Sequence, residues 1–367
     1  NNRMCKGLFK VKSERKIKGV DVISYFKQQS VLAKGIAVCF AIFILASCGK
    51  NTDDSMFQTS ESAVNAYRTY LSDMRSMETL STEHLIEAVN GWQALRDSVF
   101  VRIAKDTADH IHAKYETTIQ MLHDSLQTEF IRLANSTPKT FKDVLLIKER
   151  TSPYRQDAEL AQAVATAEPF FDSLNSIPLY RKTTKNIVSV YKTFLAQTLK
   201  SGINSKDEML DFIREEDRLF RSFLAHLPEL ADADLSAITG DTEQCCLSVF
   251  QSAEDGKFSY RDALIYFAKR TDRRIVFNAL VCRNDINQDK VKTDAQARAY
   301  VWMLLQPYIA LDDFSMAVLS DKERVSLHGV AEQMPSMIAR LNKIIGTDND
   351  QWETLPELFI KTMITSI

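Results

Sequence analysis

The chain has 367 residues, 45% of them hydrophobic and 26% charged, which is room for one large domain or two ordinary ones and too much charge for a bundle embedded in lipid. Its charge is uneven: residues 1–47 carry nine Lys or Arg against two acids, which leaves 37 basic and 46 acidic residues in 48–367. A formal −9 over that larger part argues against a nucleic-acid partner, because phosphate binding needs a basic surface.

Beyond Lys50 there are only six glycines, Gly91, Gly202, Gly240, Gly256, Gly329 and Gly346. A strand-rich protein of this size would need far more left-handed turn positions. The expected fold is therefore all-α, a multi-helix bundle of about ten helices, in one body or two packed ones.

Taken in chain order, the first feature is the run IAVCFAIFILA at 36–46, preceded by Lys34 and Gly35. Eleven residues are too few to span a bilayer, which takes about 20. Basic residues before the run and small ones after it match an export signal. Next come Leu45, Ala46, Ser47, Cys48 and Gly49. This sequence resembles the lipobox of bacterial lipoproteins, of the Bacteroidetes type in particular. The resemblance implies cleavage before Cys48, lipidation of its thiol, and a membrane partner reached through that lipid. Gly49 in the next position points by analogy to the outer membrane, while Asp53 and Asp54 only partly match a surface-export signal, so the periplasmic face and the cell surface both stay open. With Asn1 in place of Met, residues 1–30 read as an over-extended start and 1–47 as the export signal. Residues 48–57 read as a polar tether.

Apolar spacing and capping residues then predict helices at 61–76, 82–105, 108–134, 140–148, 153–175 with an interruption at Pro169, 178–200 and 205–226. Further helices follow at 243–253, 260–282, 294–310, 321–345 through Pro335, and 350–364. Capping boxes are expected at Ser205/Glu208, Thr293/Gln296 and Ser320/Glu323. The Pro-bounded, Ala- and Asp-rich 228–240 stretch is taken as the boundary between an N-terminal bundle, 58–228, and a C-terminal one, 229–367.

Candidate chemistry falls at a few places along these helices. His84 and Glu87 share one helix face. The pair resembles one in imelysin-like helical lipoproteins, which implies a metal-dependent peptidase, although Thr82 stands where that family has glycine. His112, Glu116 and His123 lie along one edge of the third helix, where boundary histidines are ordinarily solvated. Glu216 shares an apolar face with Phe212, Ile213 and Phe220. It is a raised-pKa acid if unpaired, and an ion-pair partner if an arginine faces it. The stretch from Asp255 to Asp262 has half of an EF-hand loop and reads as a plain turn with Ser259 as a cap.

The Lys269-Arg270-Thr271-Asp272-Arg273-Arg274 cluster could meet an anion, but in so acidic a body pairing with nearby Asp and Glu is the better expectation. Cys246 and Cys282 are candidates for a disulfide in an oxidising envelope. Trp302 and Tyr308 belong to an almost wholly apolar helix kinked at Pro307, with a core role or a ligand-lining one open to it.

No catalytic residue and no cofactor is predicted, since the chain lacks G-x-S-x-G, H-E-x-x-H, a phosphate-binding loop and a dinucleotide fingerprint. The expectation is a lipid-tethered helical binding or scaffolding module, leaning away from an enzyme, with an envelope protein as partner. The alternatives are the metal-dependent peptidase and a ligand-binding component of a surface nutrient-uptake system.

Overall fold

Long runs of helix-forming sequence with few breakers become helices throughout. A computed structural model describes residues 59–105, 111–155, 157–230, 232–309, 311–346 and 354–365, and among these there are thirteen α-helices, a short 3-10 turn and no strand. The 1–47 signal, Cys48 and the 48–57 tether lie outside the described residues.

The chain divides into two compact units, 1–151 with 354–367, and 152–353. The first holds α1 (Ser60–Ser76), α2 (Thr82–Lys105), α3 (Ile111–Ala134), α4 (Phe141–Thr151) and the C-terminal α13 (Leu355–Ile364). α1 starts at a capping box between Thr59 and Ser62 and buries Ala63, Val64, Tyr67, Leu71 and Met74, a stripe at helical spacing. Trp92 of α2 stacks on Phe130 of α3, with ring centroids 4.8 Å apart, and its indole N–H donates to the Tyr67 hydroxyl at 2.8 Å. α13 packs on α3 and α4, burying Phe359, Ile360, Met363 and Ile364. The last helix of the chain thus completes the first unit, and the second unit is an insertion between α4 and α13.

The second unit holds α5 (Ala158–Leu174), α6 (Thr184–Ser201), α7 (Lys206–Leu224), α8 (Asp232–Glu254), α9 (Tyr260–Asn287), α10 (Asp294–Ile309), α11 (Asp313–Ala317) and α12 (Asp321–Ile345). α9 is its axis: 28 residues, about 42 Å at 1.5 Å per residue, packed against α5, α7, α8, α10, α11 and α12. Gly346, at φ 68°, closes α12 in the left-handed conformation that a side chain resists.

Beyond helix ends that shift by a few residues, as where α5 begins at Ala158, α6 at Thr184 and α9 runs on to Asn287, the structure departs from the expected elements in three places. The 228–240 stretch is no boundary between units. Among its described residues the 3-10 turn Leu227–Glu229 comes first, and α8 runs from Asp232 straight through Gly240. Packing of α8 on α6 carries that glycine, with Ile238, Cys245 and Val249 buried. Pro169 does not interrupt α5, which continues to Leu174. The short α11, capped by Asp312 through the Ser315 amide at 2.7 Å, has too few residues for a periodic signal.

Candidate functional site

The basic cluster of α9 forms the polar centre of the second unit. Arg270 and Arg274 are one turn apart and share a face, so both reach α7. There Glu216 has no exposed surface. Its carboxylate accepts from Arg270 Nε at 2.9 Å, from Arg274 Nη2, and from the Tyr191 hydroxyl of α6 at 2.5 Å. The Arg274 guanidinium also lies 3.8 Å over the Phe220 ring. Burial alone would raise the pKa of Glu216, but the two guanidiniums override it and hold the group down at about 2. Burial and the adjacent Glu216 charge drive the Tyr191 hydroxyl well above its ordinary value.

Lys269 and Asp272 sit on the neighbouring rows of α9 and face elsewhere. Lys269, fully buried, donates to Glu168 of α5 at 2.6 Å, to Glu323 of α12 at 2.9 Å and to the Val318 carbonyl at 3.4 Å. Arg273 donates to Asn175 at 2.9 Å. Further along α9, Asp285 accepts from the Tyr300 hydroxyl at 2.5 Å and from Lys290 at 3.0 Å. The charges thus serve to join helices. Ion pairs buried in this way fix which helix faces which, at a desolvation cost that makes each one intolerant of losing a partner.

The other expected residues are scattered. His84 is exposed, its Nδ1 3.2 Å from the Ser81 hydroxyl that caps the same helix, and Glu87 is exposed one turn on. Among the described residues no group of three or more His, Cys, Asp or Glu is placed to hold a metal ion. His123 lies against Trp92, ring centroids 5.1 Å apart, with Gln127 at 3.1 Å, and burial lowers its pKa. His110 and the side chains of His112 and Glu116 lie outside the described residues.

The expected Cys246–Cys282 bridge is absent: Cys245, Cys246 and Cys282 are free thiols. Cys246 Sγ is 3.8 Å from Arg270 Nη1, and Cys282 lies twelve residues further along α9, about 18 Å of helix axis. That distance is far beyond disulfide reach. Tyr308 is a core residue at 2% exposure, and Trp302, six residues before it, is half-buried, so α10 presents no open ligand wall at Tyr308. Gly256, at φ 76°, makes the turn expected before Ser259, whose hydroxyl caps the Asp262 amide at 3.2 Å. Asp262 then pairs with Lys206 at 2.7 Å instead of closing a calcium loop.

Two open surface grooves occur in the second unit, of about 620 Å³ beside Lys192 and Asp234 and about 330 Å³ beside Lys206 and Tyr266. Each has an ion pair on its wall, Lys192 with Asp234 and Lys206 with Asp262, both at 2.7 Å. Sequence reasoning anticipated that the basic cluster would pair internally and that an arginine could face Glu216. It missed the convergence of Lys269, Glu168, Glu323 and Asp272, for which the only sequence signal is that 269, 272 and 273 share one helical face. Comparison of the chain with protein-family models, with curated proteins and with solved structures finds no match in any of the three.

Proposed function

We propose that the chain is a lipid-anchored protein of the bacterial envelope, tethered through Cys48, whose helical body is a non-catalytic binding or scaffolding module for an envelope partner. The observation that carries this reading is the eleven-residue apolar run at 36–46 ending in Leu45-Ala46-Ser47-Cys48 behind a basic segment. Two features of the body are consistent with it. No helix among the described residues is long and apolar enough to cross a membrane. Lys269 is engaged with Glu168 and Glu216 with Arg270 and Arg274, and the exposed His84 and Glu87 lend no support to a peptidase site.

Metabolic labelling with a radioactive fatty acid, followed by membrane fractionation, tests the anchor. The wild-type chain is expected to carry label and sediment with the outer membrane, and Cys48→Ser to lose both. Label retained on Cys48→Ser would overturn the assignment.

A further inference from the structure

Lys269 bridges Glu168 and Glu323 where α5, α9 and α12 come together, and the Asp272 carboxylate lies in the field of Glu323, Lys269 and Asp312. The three N–H bonds of Lys269 are committed to Glu168, Glu323 and the Val318 carbonyl. Glu323 also accepts from the Ser320 amide and hydroxyl, both at 2.8 Å. Asp272 is left over. It is 1% exposed, and neither carboxylate oxygen receives a hydrogen bond from the described residues.

The other nearby cations are engaged elsewhere. Arg273 turns to Asn175 and Arg324 to the Leu319 carbonyl, while Lys322 is on the exposed side of α12. α10 brings Asp294 and Arg298, which pair with each other at its exposed start. A bare carboxylate buried without donors is strongly disfavoured, and such a group instead keeps its proton.

We propose that Asp272 stays protonated in the folded second unit and acts as a pH-operated clasp on the α9–α11–α12 junction, seated while neutral and loosened when ionised. Burial first, then the Glu323 charge, opposed by Lys269, raises its carboxyl well above the ordinary aspartate range. Because the folded-state pKa is raised, this contribution to stability is whole below the unfolded value of about 3.9 and declines as pH climbs toward the folded one. In that window folding must take up a proton, so the unfolding equilibrium constant rises about tenfold per pH unit from this group alone. The inference concerns the second unit and does not depend on the anchor.

The test compares urea unfolding of the full chain and of its Asp272→Asn variant as a function of pH, followed by amide exchange in α9 and α12. From about pH 4 upward the wild type is expected to lose stability relative to the variant with a slope of one proton. Equal slopes in the two chains would overturn the proposal. Should Asp272→Asn not fold, aspartate-selective ¹³C labelling decides instead. Because burial also raises Asp217, a native aspartate carboxyl that is still protonated above the ordinary range in an Asp217→Asn chain supports the clasp, and a full set of ionised aspartates at neutral pH overturns it.

Discussion

The two units are both helical, yet their interiors are joined by different chemistry. In the first, large apolar and aromatic groups dominate: Tyr67, Trp92, Phe130 and Leu133 are all essentially inaccessible, and the Trp92 indole proton finds the Tyr67 hydroxyl. Its buried charges are lysines at the margin, such as Lys139, which donates to the Thr137 carbonyl at 2.8 Å. The second unit buries Glu216, Asp217, Lys269, Arg270, Asp272 and Asp285. Apolar packing is tolerant of which partner it meets, whereas a buried carboxylate is satisfied only by a particular donor. The first unit should therefore fail by losing area and the second by losing a single partner.

The largest effect is expected where area is removed from the first unit. Ending the chain at residue 353 deletes α13 and with it the burial of Phe359, Ile360, Met363 and Ile364. At about 1.5–3 kcal/mol for each such side chain, the loss is comparable to the whole stability of a domain. Amide exchange should then show α1–α4 unprotected while α9 keeps its protection. Unchanged protection in α1–α4 would break the comparison, because the first unit would then close without its C-terminal helix.

A smaller but more specific effect is expected at Glu216. Replacing it with alanine leaves the buried Arg270 and the partly buried Arg274 without their shared carboxylate, at a cost of about 3–5 kcal/mol to the second unit. A triple variant, Glu216→Leu with Arg270→Met and Arg274→Met, should recover most of that loss, since well-packed apolar groups of similar size replace a buried ion cluster at little cost. The pH dependence has the opposite sign to that of Asp272. With its folded-state pKa held at about 2, Glu216 contributes fully above the ordinary glutamate value and loses that contribution as pH falls toward 2. Urea unfolding of the single and triple variants checks both points. A triple variant no more stable than Glu216→Ala would show that the cluster supplies net stability and not only pairing specificity.

These contrasts also mark what could be read from the residues alone. The all-helical class was legible because glycine is scarce and apolar residues recur at helical spacing. Capping residues such as Ser205 and Ser320 marked helix starts to the residue. The internal pairing of the Lys269–Arg274 cluster was legible from charge balance, though not the identity of its partners. Glu168 lies 101 residues from Lys269 and Glu216 lies 54 from Arg270, and no local pattern encodes separations of that kind. The division into units failed at 228–240 for a related reason. Pro228 and Gly240 are local breakers, but burial of Ile238, Cys245 and Val249 on one face of α8 outweighs about 1 kcal/mol of glycine penalty. The return of α13 to the first unit was hidden too, because an amphipathic C-terminal helix fits either bundle equally well by its pattern.

The smallest effect asks whether glycine is tolerated in the two units for the same reason. Gly240 sits inside α8 with a negative φ, and a Cβ placed on it would meet nothing within 4 Å. Alanine there should gain the helix preference without any new contact, raising the stability of the second unit by about 0.5–1 kcal/mol. Gly91 of α2 is different, since its Cβ would come within 3.1 Å of the Tyr70 hydroxyl. That hydroxyl is held by its hydrogen bond to the Ala88 carbonyl at 2.5 Å, so it yields only by weakening the bond. Gly91→Ala should therefore gain nothing or lose stability in the first unit, while Gly91→Ala combined with Tyr70→Phe should recover the ordinary alanine advantage. Paired thermal melts of the four chains decide it. Equal gains at both glycines would mean that the Tyr70 hydroxyl gives way freely, and that the close approach of α1 to α2 at Gly91 is incidental to the packing of the first unit.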